Sequence, residues 1–530
     1  MALRSRILKF LFWTCAFAAA YTQAPLYFSN QNQYFLHGLA EAGRGRLGGD
    51  WLSKTASPTP AFDALVTLTA RYGHEFLFHA YYALLLGVYW SSLTSLAAFI
   101  TGDRFSPGQR LGFVALLVGI HSAVLRWLSY RFFDADYACF AQGWFAAQYV
   151  LGPVLQPSAF GVFFLVAIER FVRGRRFAAH TALGVTCIVH PTYLLHAGIL
   201  TLAFAGIAAS QKKWWSALLL PMWSLLLVSP VLIHSYSNFA PTDPTAFEEA
   251  QRILVEIRIP HHCLPRRWFD AIAALQIGLM AAGIFAVRRT PLFPVLLALF
   301  TASSILTIAQ WVTGSHSLAL LFPWRSSAIL IPIATAVLLA RLVLVSPRFW
   351  ESRFARLGSA GGIAALCVGG IAIMTFRGAY PVNAAEVPLM DFVRTHAKPG
   401  DLYLLPVTVP DLQKGRGSNS GDFKPSPPLT GDRLLIPVDF QQFRLETGTP
   451  IYTDFKAIPY KDADVLEWYG RVMWNRDAYQ SGNWNDPHRL AELRSRGITH
   501  VVTARDRGMF GNDFEAIYGD RQYNIHRIER

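Results

Sequence analysis

Residues 76–100, FLFHAYYALLLGVYWSSLTSLAAFI, contain no Asp, Glu, Lys or Arg. About 20 helical residues cross a hydrocarbon core, so this run is long enough to span a bilayer and too long and uniform for an ordinary buried core helix. Similar apolar runs read outward from it, at roughly 8–23, 111–131, 148–169, 177–190, 193–209, 216–233, 269–287, 291–312, 327–346 and 359–376. Together they predict a polytopic α-helical membrane protein of about eleven spans over residues 1–378. The first run ends in AAAYTQA (18–24), which has the look of a signal-peptide cleavage region; an uncleaved first span fits the later charges better.

Composition agrees. The 530 residues are 53% apolar and 15% charged, with a mean hydropathy of +0.29, whereas soluble domains carry about 25% charged residues. The formal charge of +14 does not indicate nucleic acid, because the basic residues sit in short clusters between apolar runs. Counted from a cytoplasmic N-terminus, those clusters (Arg104 and Arg110; Arg170 to Arg176; Lys212 and Lys213; Arg288 and Arg289; Arg348 to Arg356) all fall in inner connections, as the positive-inside rule requires. Residues 24–75, 132–147, 234–268 and 377–530 then lie outside, in the setting of a bacterial inner membrane and periplasm. Cys15, Cys139, Cys187, Cys263 and Cys367 lack CxxC or zinc-knuckle spacing.

From about residue 379 the composition turns mixed. DLYLLPV (401–407), RLLIPVDF (433–440), PIYTDF (450–455), THVVTA (499–504) and YNIHRI (523–528) read as strands. VPLMDFVRTH (387–396), DADVLEWYGRVM (462–473) and PHRLAELRSRG (487–497) read as helices, the last ending at a glycine cap. Residues 379–530 are therefore expected to form an extracytoplasmic α/β domain, with a loop over Lys414–Gly431. Its most distinctive stretch, FRLETGTPIYTDFKAIPYKDADVLEWYGR (443–471), suits a cap or recognition module in which Arg444, Asp454 and Lys456 fix strand ends.

Candidate chemistry gathers in the outer loops. Asp134 and Asp136, in FFDADYACF, have a spacing that can hold a divalent cation, Mg or Mn, against a diphosphate. Chance alone supplies about two such pairs among 34 acidic residues, and a second DAD stands at 462–464. Arg258, His261 and His262, in RIPHHCLPRRW (258–268), form the densest cationic patch, suited to a phosphate or to anionic headgroups. His190 before Pro191 is an ionisable group at the membrane edge, and AQYVLGPVLQPSAFG (147–161) predicts a kinked or re-entrant entry lined by Gln148 and Gln156. Glu41 and Asp50 are candidate acids in the first outer loop.

The order of these parts resembles the GT-C superfamily of polytopic membrane glycosyltransferases, in a bacterial branch. The resemblance covers nearly the whole chain: a first span, a long outer loop with QYFLHGLAEAGRG (33–45), about eleven spans and a terminal outer α/β domain. It implies a polyprenyl-phosphate-linked sugar as donor, transfer to a lipid or polymer acceptor at the outer face, and an acidic base or metal ligand early in the first outer loop. Here that neighbourhood reads SNQNQYF (29–35), so Asn32 and Gln33 stand where Asp or Glu is expected, and an amide cannot take a proton. Asp50, Glu41, Asp134 and Asp136 are then the candidates for the acid. A non-catalytic scaffold or glycan-binding protein would keep the fold and lose the acid. A lipid or solute transporter would show paired broken helices, of which the sequence offers one.

Overall fold

The computed structural model describes residues 2–376, 378–380, 383–407 and 440–529. The apolar runs are helices: Ala2–Tyr21, Phe76–Ile100, Arg176–Val189, Leu194–Ser210, Trp214–Phe239, Ala271–Ala286, Leu292–Thr313, Ser327–Val345 and Arg353–Thr375, with two exceptions considered below. Six helices are long and apolar enough to cross a membrane, and a seventh counts if the bent pair Pro107–His121 and Ala123–Phe133 is one span. Arg176–Val189 and Ala271–Ala286 are apolar but shorter. The sequence count of about eleven also includes the first helix, whose opening half carries Arg4, Arg6 and Lys9, and a run of which only Val162–Val172 is α-helical.

Exposed faces fix the solvent. Leu218, Leu219, Met222, Leu225, Leu226 and Ile233 of the Trp214–Phe239 helix all lie open. A contiguous apolar surface of this kind is foreign to water-soluble monomers and natural against lipid acyl chains. The chain is an integral membrane protein on this ground.

The first exception is a bend of 51°. Ser122 adopts extended backbone between the two helices, and its hydroxyl accepts from the Leu125 amide at 3.1 Å, so it stops one helix and caps the next. The second is the stretch from Tyr137 to Gly161, three short 3₁₀ turns joined by irregular backbone, in accord with the kinked entry read from its glycine and prolines. Such backbone survives near lipid only where other groups satisfy its carbonyls. They do: Gln276 Nε2 donates to Phe140 and Gly143, Thr335 to Ala141, Tyr21 to Leu151, Tyr82 to Gly152, Gln31 to Leu155 and Tyr193 to Ser158.

The first helix packs between Phe76–Ile100 and Arg353–Thr375. Gly370 makes the second contact possible, because a Cβ there would overlap the Ala19 carbonyl oxygen. Gly370→Val should therefore cost about 1–3 kcal/mol or more, since backbone rather than a movable side chain must yield. Thermal unfolding in detergent checks this; a melting temperature equal to wild type would show that the helices separate at no cost.

Past residue 383 the chain is α/β. Strands β1 (Tyr403–Leu404), β2 (His500–Ala504), β3 (Phe514–Gly519) and β4 (Tyr523–Ile528) form one sheet in the order β1-β2-β4-β3, parallel between β1 and β2 and antiparallel elsewhere. Helices Val387–His396, Asp462–Ser481 and Pro487–Ser495 stand where the sequence places them, and Gly497 takes the left-handed conformation (φ 70°) just beyond the last. The expected strand at 450–455 is reduced to a bridge between Ile451 and Tyr403, and on the edge facing away from β1 the Ile451 amide donates to Asp50 Oδ2. Strand β3 is an addition: its exposed, mixed FEAIYG sequence carries no alternation. The expected strand at 433–440 and loop at 414–431 lie outside the described residues, apart from Phe440, which is in a turn.

Candidate functional site

At the end of the helical bundle that carries the sheet, five segments distant in sequence converge. Pro191 ends the Arg176–Val189 helix, leaving His190 extended at its C-terminus and 4% exposed. Phe322, left-handed at φ 49°, turns the chain before Pro323 and delivers Arg325. Arg325 Nη1 donates to His190 Nε2 at 3.0 Å. An arginine can only donate, so the His190 proton sits on Nδ1, and that buried N–H has no partner among the described residues. Arg325 Nε is likewise buried without a partner, and Arg325 pairs with no carboxylate among the described residues. Its guanidinium lies 5.3 Å from the ring centres of both Tyr193 and Phe322. Tyr34 packs edge-on to the His190 ring at 6.0 Å.

From the third side comes the 253–263 segment, a π-helical turn (Ile253–Arg258) followed by the Pro260–Cys263 turn. His262 Nδ1 is 3.0 Å from the Ala146 carbonyl. The Gln148 amide lies 3.0 Å from the same nitrogen. Three of the four residues 144–147 have left-handed backbone without being glycine (Trp144 φ 72°, Ala146 φ 51°, Ala147 φ 54°), and this strained hairpin aims the Ala146 carbonyl at His262. Burial, reinforced by the Arg325, Arg258 and Lys456 cations, pushes the His262 imidazole down to about 3. It is a neutral hydrogen-bonding group at any physiological pH.

The α/β part closes the remaining side. Arg258 donates to the Lys456 carbonyl and stacks 5.4 Å from the Phe455 ring centre. Tyr460 accepts from Gln33 Nε2 at 2.6 Å. The result is a group of cations, neutral imidazoles, amides and phenols. Next to it, Tyr149 joins Asn30 and Gln156, each amide 3.4 Å from its hydroxyl, while Trp144 stacks on its ring at 4.2 Å. Gln156 is 1% exposed, and its Oε1 has no partner among the described residues.

Of the residues singled out from sequence, His190, Arg258, His261, His262 and Gln148 come together here, with Gln156 adjoining. The carboxylates do not. Asp50 is fully buried, with Oδ1 accepting from Leu52 N and Oδ2 from Ile451 N and facing Arg444 Nε at 3.0 Å. Asp136 is buried against Arg126 at 2.7 Å and caps the turn at Cys139. Asp134 is the exposed left-handed end of the Ala123–Phe133 helix. One acid of that pair faces solvent and the other is held in an ion pair, so they do not form a common cation site. Among the described residues no group of three or more His, Cys, Asp or Glu side chains converges. Glu41, exposed, accepts from Thr67 at 3.1 Å. Asn32 is buried and donates to Tyr27 and Ser29 carbonyls at 2.6 and 3.1 Å, so it fastens its own turn.

Arg325 was not among the sequence candidates. The signal was there: between residues 291 and 340 it is the only Asp, Glu, Lys or Arg, and a lone charge between apolar runs is a functional candidate by default.

A family described as "Domain of unknown function (DUF6798)" matches residues 430–474, which overlap the 443–471 stretch. No curated protein matches the chain. Among solved structures, the crystal structure of ArnT from Cupriavidus metallidurans bound to undecaprenyl phosphate is similar at 11% identity over 98% of each chain, with a TM-score of 0.41.

Proposed function

We propose that this chain is a GT-C-type membrane protein in which Arg325, His190, His262 and Arg258 hold the phosphate of a polyprenyl-phosphate lipid at the outer face of the membrane, and that it transfers a sugar from such a lipid to a lipid or polymer acceptor. The observation that carries the reading is the Arg325–His190 pair. Among the described residues this guanidinium has no carboxylate partner and is bonded to a neutral imidazole whose own N–H is buried and unsatisfied, so the pair has donors to spare for an anion. The tyrosines around it, and the apolar helices beneath, suit a phosphate attached to an acyl-like tail. Donors preorganised around a leaving phosphate would stabilise the charge that grows on it as the glycosidic bond breaks.

The α/β part, standing on the same end of the bundle, would sit in the periplasm with the N-terminus in the cytoplasm. A binding rather than catalytic role has one specific observation in its favour: the positions where the resemblance expects an acid hold Asn32 and Gln33, and both amides are engaged in structural bonds. A lipid-phosphate-binding scaffold would keep the cluster and need no base.

Native mass spectrometry of the full chain with undecaprenyl phosphate tests the shared premise. Wild type should retain the lipid, and Arg325→Ala should weaken it about 10- to 100-fold, the loss of one or two charge-assisted hydrogen bonds. Equal retention by both proteins would remove the cluster as the phosphate site. Sugar transfer from a polyprenyl-phosphate sugar by wild type would then separate transferase from scaffold.

A further inference from the structure

A second site lies behind the first. Trp51, Lys54, Asn238, Lys461 and Asp464 line a cleft of 340 Å³ where the first loop, the end of the Trp214–Phe239 helix and the start of the Asp462–Ser481 helix meet. That volume lies in the range of small-molecule sites. The walls are fixed: Thr242 donates through both its amide and its hydroxyl to Asp462, each at 2.6 Å, which ties the helix start to the membrane helix's end. Arg471 lies over the Trp51 ring at 4.2 Å and holds the indole in place.

Among the described residues the charged groups facing this cleft make no direct ion pair, although the Lys461 charge acts on Asp462 and Asp464. Neither Lys54 nor Lys461 pairs with a carboxylate among the described residues, and Asp464, half-buried, has neither an ion pair nor a hydrogen bond there. Asn238 uses its Nδ2 on the His234 carbonyl at 2.9 Å, which leaves Oδ1 to the cleft. Two ammonium donors beside a carboxylate acceptor, an amide oxygen and a flat apolar wall make a particular combination. A plain anion would meet repulsion from Asp464, and a neutral sugar would leave Lys54 unanswered and Lys461 answered only through space by the neighbouring carboxylates. A hexose bearing a carboxylate or phosphate answers all of them, its hydroxyls donating to Asp464 and Asn238, its charge lying on the lysines and a C–H face on Trp51.

We infer that this cleft is a saccharide-binding site for an acidic sugar. It is adjacent to the Arg325 cluster through one short piece of backbone, because Tyr460, bonded to Gln33 there, directly precedes Lys461. If the chain is a transferase, the cleft is placed to hold an acidic glycan acceptor; the binding itself does not depend on that reading.

The test uses the full chain in nanodiscs, with glucuronate, glucose 6-phosphate, glucose and inorganic phosphate as probes, and binding followed by saturation-transfer NMR and calorimetry. Both acidic hexoses should bind at least about ten-fold tighter than glucose or phosphate. Lys54→Ala and Lys461→Ala should each weaken them about ten-fold, and Asp464→Asn should weaken them too, all with melting temperatures near wild type. Arg325→Ala should bind the sugars as wild type does, so a failure of the lipid-phosphate site and a failure of this one are told apart. Phosphate competing as well as glucose 6-phosphate, no binding of either acidic hexose, or lysine variants equal to wild type would each overturn the inference. A lipid carrying glucuronate as its head group, compared with free glucuronate, assigns the source: tighter binding of the lipid form points to a membrane ligand, and equal binding to a free glycan, each with the same sugar chemistry.

Discussion

Arg444→Met should destabilise the protein by about 3–5 kcal/mol and loosen the α/β part from the helical bundle. Arg444 sits on the short Phe443–Thr447 helix and its side chain is 4% exposed. Its Nε lies 3.0 Å from Asp50 Oδ2 and its Nη2 3.1 Å from Asp454 Oδ2, so one buried cation joins the first loop to the C-terminal part. The Nε contact departs from the N–H line and is not a hydrogen bond, which makes the attraction chiefly coulombic. Removing the cation leaves Asp50, fully buried, with two backbone N–H groups and no counter-charge. An uncompensated buried charge is the expensive outcome; replacing the whole pair is much cheaper. Thermal unfolding and limited proteolysis read the result, with early cleavage between the two parts in the variant. Asp50→Asn combined with Arg444→Met should recover a substantial share of the loss, because the two changes act on one interaction. Wild-type melting and an unchanged cleavage pattern in Arg444→Met would show that packing alone holds the parts together.

The same ion pair shows where sequence reading runs out. Asp50 looks like the loop acid that a transferase would need, and nothing near it in sequence says otherwise. Its partners, Ile451 and Arg444, come from the other end of the chain, the first of them 401 positions away. Asp134 and Asp136 part for a local reason: Asp134 takes the left-handed conformation at the exposed helix end, and Asp136 turns inward to Arg126. Periodicity and apolarity, by contrast, are local properties of lipid-facing helices, which is why residues 76–100 could be read directly. The re-entrant stretch was also legible, because Gly152, Pro153 and Pro157 together break the helix over a short run. Strand β3 was not, since an exposed edge strand needs no alternation. The histidines of the 258–268 loop and His190 stand out in the sequence as ionisable groups at the ends of apolar runs, whereas Arg325, which bonds to His190, is hidden between two such runs.

Asp63→Asn should stabilise the protein at pH 8 by about 3–5 kcal/mol and leave it nearly unchanged near pH 4. Asp63 lies in the first turn of the Pro60–Tyr72 helix, is 6% exposed, and its Oδ1 has no hydrogen-bond partner among the described residues. Burial, with a smaller contribution from Glu41, pushes its carboxyl up to about 7, against the lowering effect of a Ser57 hydrogen bond. The direction of linkage follows from the proton count. Below the ordinary carboxylate range both folded and unfolded chains hold the proton, and the group has no effect. Between there and about pH 7 the folded chain keeps a proton that the unfolded chain has released, so stability falls steadily as pH rises. Above about 7 the full cost is present, because folding then buries an ionised carboxylate with little to solvate it. Asparagine keeps the shape and the bond to Ser57 and carries no charge, so its stability curve should lie level with wild type in acid and rise above it through neutrality. Melting temperatures from pH 4 to 8 for the two proteins decide the matter: diverging curves fit a protonated Asp63 in the fold, and parallel curves would mean that solvent or the Ser57 hydroxyl accommodates the charge.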